Sequence, residues 1–160
     1  MKVLRRSALH FAAGVALAAL GGTATAQTGP FQYFAVTPCR AVDTRTSSPV
    51  TNAAFASFTI KGICNVPSDA VAASLNVTVV GPTAAGFLGI WPTGLIPPNV
   101  STINFPSGEP AIANGAIVPL GAPSTNDISI FIGPCPGGCP ASSATYHTDI
   151  ILDVTGYFKP

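Results

Sequence analysis

The chain has 160 residues, 48% of them apolar and 8% charged, with a formal net charge of +1. This composition excludes disorder driven by high charge and low hydrophobicity. Seven Lys and Arg, with no basic cluster beyond residue 6, exclude the phosphate-reading surface that nucleic-acid binding requires.

In chain order, the first predicted element is a secretory signal peptide over residues 1–26. Lys2, Arg5 and Arg6 precede an apolar run at 8–20, and Ala24 and Ala26 supply the small residues of a cleavage site. Cleavage after Ala26 leaves Gln27 first and a mature domain of residues 27–160. The run is too short to span a bilayer, and no later stretch is long enough to be a transmembrane segment. Ala8 stands where a twin-arginine signal favours a large apolar residue, so Sec export to the extracellular space or cell surface is expected. No cysteine follows the junction, which argues against lipoprotein anchoring there. The mature portion carries four basic and six acidic residues, a net charge of −2.

Sixteen prolines and sixteen glycines divide the rest into short pieces and leave no room for a long helix. Period-two runs rich in Val, Ile, Thr and Phe predict strands at 31–36, 55–61, 71–80, 87–91, 102–105, 112–120, 128–132 and 149–155. The run at 71–80 is the clearest. Val71, Ala73, Leu75, Val77 and Val79 share one face, opposite Ala72, Ser74, Asn76 and Thr78, and a central position is expected for it. Pro119 predicts an edge or a bulge in the 112–120 run. Gly81-Pro82, Pro92-Thr93-Gly94, Pro97-Pro98-Asn99, Ser107-Gly108 and the 134–140 segment supply turns. Eight or nine short strands without an amphipathic helix predict one all-β domain, a β-sandwich of jelly-roll type.

Cys39, Cys64, Cys135 and Cys139 are an even set in an exported chain, and read as two disulfides with three possible connectivities. The tight Cys-Pro-Gly-Gly-Cys loop favours Cys135–Cys139, leaving Cys39–Cys64. These cysteines form no paired zinc knuckle, and neither a metal nor a cofactor is expected.

Chemistry-bearing residues are few. His147 is the one histidine after the signal, with Asp149 and Asp153 on its strand face. That row is compatible with a cation or an oriented imidazole, but reads first as structural. No Gly-x-Ser-x-Gly elbow, His-Glu-x-x-His pair, phosphate loop or calcium loop is present. Glu109 is the sole glutamate, so no glutamate pair for glycoside hydrolysis can be built. Arg40, Asp43 and Arg45 form the densest charged cluster. They predict an Asx turn at Asp43-Thr44 and arginine forks onto Asp43 or Asp153, a polar clamp between chain ends. Trp91, the lone tryptophan, reads first as a core-rim residue. Trp91 and Tyr146 are the candidates for a sugar-stacking platform.

The segment Thr37-Pro38-Cys39-Arg40-Ala41-Val42-Asp43-Thr44-Arg45 resembles the start of a class of secreted bacterial all-β domains. The likeness continues through Leu75-Asn76-Val77-Thr78-Val79-Val80, Gly86-Phe87-Leu88, Trp91-Pro92, Ala113-Asn114-Gly115-Ala116 and Asp153-Val154-Thr155-Gly156-Tyr157-Phe158. It implies an extracellular module of the kind found alone, in tandem or appended to secreted hydrolases. No catalytic residues are established for that class, so none carries over, and the Cys-Pro-Gly-Gly-Cys loop is not part of its pattern.

The expected function is a non-enzymatic extracellular module, structural, adhesive or surface-interacting, with a cell-wall polysaccharide or surface protein as partner. The alternative is a carbohydrate- or cell-wall-binding module using Trp91 and Tyr146, which an exposed Trp91 would favour and a buried one oppose. A third reading is a small secreted hydrolase built on His147.

Overall fold

The computed structural model describes residues 29–52, 54–122, 126–134 and 146–160. The expected signal peptide, and Cys135 and Cys139, lie outside the described residues.

Among the described residues nine strands form: β1 Gln32–Asp43, β2 Val50–Thr51, β3 Ala56–Phe58, β4 Ala72–Val80, β5 Gly86–Pro92, β6 Ile103–Phe105, β7 Ala111–Pro119, β8 Ile128–Pro134 and β9 His147–Lys159. They make two sheets, one ordered β1-β9-β4-β7 with β2 also on β9, the other β3-β8-β5-β6. β1 and β2 together act as one interrupted edge. The first strand then pairs with the last, β3 with β8, β4 with β7 and β5 with β6. That is a long hairpin rolled up on itself, the jelly-roll path of an all-β sandwich.

Alternation explains the sandwich. Ala73, Leu75, Val77 and Val79 of β4 and Ile150, Leu152 and Val154 of β9 turn inward from one sheet. Leu88 and Ile90 of β5 and Ile128, Ile130 and Ile132 of β8 meet them from the other. Each fully buried aliphatic side chain is worth about 1.5–3 kcal/mol, so a one-residue slip of either sheet would expose the whole set. β4 sits between β9 and β7, the internal position expected of it.

Glycines keep the register where aromatic side chains cross the outer faces. Gly133 lies opposite Phe87, whose ring occupies the space a Cβ would need, and Tyr33 covers Gly156 in the same way.

β9 runs from His147 to Lys159, beyond the expected 149–155, and β1, β2 and β3 differ from the pattern reading for identifiable reasons. β1 runs on through Cys39 and Arg40 to Asp43, because register shifts after Ala35 and Arg40 absorb the Pro38 interruption. The short β2 at Val50–Thr51 has no periodicity to betray it. β3 stops at Phe58, although the alternation continues to Lys61. The Ile60 and Lys61 amides leave the ladder and donate to the Asp127 carboxylate, each at 2.7 Å. Cys39 and Cys64 are joined by a disulfide, which fastens β1 to the turn after β3.

Candidate functional site

The Arg-x-x-Asp-Thr-Arg segment sits where β1 leaves the edge of β9. Asp43 pairs with Ile151 at the end of one ladder, and Val50 with Thr148 at the start of the next. The gap between them is filled by side chains. Asp43 Oδ1 accepts the Arg45 amide at 3.2 Å, the expected Asx turn, and starts a 3-10 turn at Thr44–Thr46. That turn drives Thr44 inward, where its hydroxyl accepts the Ile150 amide at 2.8 Å and donates to Asp149 Oδ1 at 2.9 Å. The threonine hydroxyl thus takes the place of the missing strand partner.

Above it lies a neutral four-residue network. Arg40 forks onto Asp153, its cross-strand neighbour on β9, with Nε to Oδ1 at 2.9 Å and Nη2 to Oδ2 at 3.3 Å. Arg45 forks onto Asp43 at 2.8 and 2.6 Å, and Arg40 Nη1 reaches Asp43 at 3.4 Å. The Arg45 hydrogen bonds hold the Asp43 carboxyl at about 2, well below its ordinary 3.8. Asp153 raises Arg40, and Asp43 raises Arg45, above the ordinary guanidinium value. Asp43 and the two arginines therefore have no proton to exchange near neutral pH. The cluster clamps the first strand to the last, as the charge pattern suggests.

A second polar knot escaped the sequence reading. Asp127 is 2% exposed. Beyond its bonds to Ile60 and Lys61, it lies 3.7 Å from the Lys61 ammonium, which itself donates to the Gly121 carbonyl at 2.8 Å. The Asp127 backbone carbonyl accepts the Thr93 and Gly121 amides, and its own amide donates to Phe58. One residue thus ties together the chain leaving β3, the turn after β5 and the approach to β8. A single Asp preceding an Ile-x-Ile run carries no motif, so nothing in the pattern marks it.

Trp91 is 5% exposed, its indole Nε1 donating to the Leu95 carbonyl at 3.1 Å. It lies on the outer face of the four-stranded sheet but under cover, with Phe55 edge-on against it at 5.3 Å. The ring proposed for sugar stacking is therefore not presented to solvent, and the core-rim reading describes it. Tyr146 packs against the core, its hydroxyl donating to the Ile132 carbonyl at 3.4 Å, and burial raises its phenol pKa. Trp91 and Tyr146 share no ring contact among the described residues.

What the outer face does present is apolar. Phe55, 58% exposed, also packs on Phe131, which meets Phe87. The loop after β5 crosses this face, with the Val100 carbonyl over Gly89, and leaves Leu95, Ile96 and Val100 exposed, Ile96 at 90%. Phe55 is the residue sequence reading missed here. Its place at the start of a predicted strand hid the fact that β3 begins one residue later.

His147 lies at the exposed start of β9. Its backbone amide donates to Thr83 Oγ1 at 3.0 Å, and its carbonyl accepts the Thr83 amide. The two carboxylates on its face are held elsewhere, Asp149 by Thr44 and Asp153 by Arg40. Among the described residues, no three His, Cys, Asp or Glu gather as metal ligands. A shallow open groove of about 450 Å³ runs over the other sheet, lined by Ser74, Asn76, Gly115, Ile117 and Thr155, with Ser74 and Thr155 hydroxyls bonded to each other at 2.9 Å. No helix among the described residues is long and apolar enough to cross a membrane.

No protein family, curated protein or solved structure matches this chain.

Proposed function

We propose that this chain is an exported, non-catalytic module that attaches to an extracellular surface through the outer face of its four-stranded sheet. The observation that carries the reading is the exposed Phe55 packed on Phe131, which meets Phe87, with the exposed Leu95, Ile96 and Val100 on the loop that crosses the same face. Exposed apolar side chains gathered on one face mark interaction sites, because leaving them in water costs about 25 cal/mol per Å². The Arg-Asp cluster, by contrast, is consumed in fastening β1 to β9. The signal-like first 26 residues and the Cys39–Cys64 disulfide are consistent with an oxidising, extracellular setting.

A cell-wall polysaccharide is the second reading of that surface, favoured by the exposed Phe55 ring, since sugar rings pack on aromatic faces. The test is binding of the mature protein to insoluble polysaccharides, peptidoglycan and protein-coated surfaces. Saturable binding to protein-coated surfaces supports the first reading, and to a polysaccharide the second. Turnover of any panel polymer, lost in a His147→Ala variant, would overturn both in favour of a hydrolase.

A further inference from the structure

The geometry points to β7 as a self-pairing edge through which two copies of this chain join into one continuous sheet. Among the described residues, β7 pairs with β4 on one side and with no strand on the other. Folded proteins blunt such edges with short strands, charges, prolines or bulges. The other edges here are blunted in those ways. β3 and β6 are three residues long, and β1 carries two register shifts, Pro38 and the arginine network.

β7 carries no charge and no bulge, and its one proline, Pro119, is its last residue, outside the 113–117 stretch. All nine residues pair with β4 without a break in register. No charged residue occurs between Glu109 and Asp127.

The direction of its free groups follows from the ladder. Leu120 donates to the Val71 carbonyl, so the even-numbered residues face β4. Ala111, Ala113, Gly115 and Ile117 therefore turn their N–H and C=O groups outward. Antiparallel pairing about a two-fold axis at Gly115 matches these groups to themselves. Gly115 meets Gly115 of the second copy, and Ala113 meets Ile117. The large, 66% exposed Ile117 then lies opposite the small Ala113. A two-fold pairing is closed, so it consumes both edges and stops at a dimer, where a head-to-tail contact would polymerise.

That axis stands perpendicular to the sheet, so both copies turn their four-stranded sheets to the same side. The dimer presents two Phe55–Ile96 faces to one surface, and the second attachment becomes intramolecular. This consequence rests on the proposed function. The pairing itself does not.

The test is sedimentation equilibrium of the mature protein with two double variants, Ala113→Lys/Ile117→Lys and Ala113→Glu/Ile117→Glu. All four substituted side chains are on the exposed outer face, and each variant's urea midpoint checks its fold. The wild type is expected at twice the monomer mass, each variant at the monomer mass, and their equimolar mixture at the dimer mass again, because position 113 meets position 117. A Gly115→Cys variant, whose side chain meets nothing within 4 Å, is expected to oxidise to a covalent dimer. The paired Cα atoms would stand about 5.5 Å apart, within disulfide range. A wild type that stays monomeric up to its solubility limit overturns the proposal, as does a dimer that survives either charged variant. Neither result bears on surface attachment, which the polymer panel reads separately.

Discussion

Replacing Asp127 with alanine removes the acceptor of two short bonds from the Ile60 and Lys61 amides, each at 2.7 Å, and the partner of the Lys61 ammonium. Hydrogen bonds to a charged group are each worth about 1.5–3 kcal/mol, and breaking a buried pair by removing one partner costs about 3–5 kcal/mol. The two contributions overlap, because the same carboxylate makes both. The expected loss is about 3–5 kcal/mol, a large share of the roughly 5–15 kcal/mol that holds a domain together. At a few degrees per kcal/mol for a domain of this size, the melting temperature falls by about 10–15 °C. Asp127→Asn keeps one oxygen for both amides and loses the charge, so about half of that penalty is expected. Urea titration followed by Trp91 fluorescence reads both, since the lone tryptophan is buried and its turn is tied to Asp127 through Thr93. An alanine variant within about 1 kcal/mol of wild type would refute the reasoning, as would an asparagine variant as damaged as alanine.

The Cys39→Ser/Cys64→Ser variant, which opens a loop of sequence separation 25, is expected to lose about 3–4 kcal/mol in urea titration; an unchanged midpoint would contradict this. Gly86→Ala places a Cβ 2.5 Å from the Gly133 carbonyl, a backbone atom that cannot swing aside, and costs about 1–3 kcal/mol. A neutral result by thermal unfolding would mean that β5 and β8 separate freely there. Asp43 is held at about 2 against 3.8, so its contribution is complete above the ordinary value and lost as pH falls through about 2. Asp43→Asn is expected to flatten the acid limb of the stability profile between those values, and an unaltered limb would show that the Arg45 fork does not stabilise the fold.

Much of the sandwich was legible because its strands are half-buried. β4 alternates throughout and β9 does so apart from the buried Ile151, and one buried face is what period two reports. The charged cluster was legible for a different reason. In a chain with so few charges, Arg40, Asp43, Arg45 and Asp153 have few partners but one another. Asp127 was not legible, because its partners are backbone amides set by the fold and carry no residue identity. Nor was the burial of Trp91. A strand end followed by Pro-Thr-Gly fits both an exposed platform and a covered rim, and only the return of Phe55 across β5 decides between them. The β1 boundary failed because a bulged strand breaks period two without leaving the sheet.

On the proposed function, the apolar outer face, and not the buried tryptophan, is the working surface. The most direct measurement compares wild type, Phe55→Ser/Ile96→Ser and Ala72→Ser in surface and polymer binding, with folding checked by urea titration. Phe55 and Ile96 are exposed on the proposed face, and Ala72 belongs to the other sheet. Saturable binding is expected of the wild type and the Ala72 variant, with at least a tenfold loss, about 1.4 kcal/mol, in the folded Phe55/Ile96 variant. Undiminished binding by that variant would place the working surface elsewhere and contradict the account.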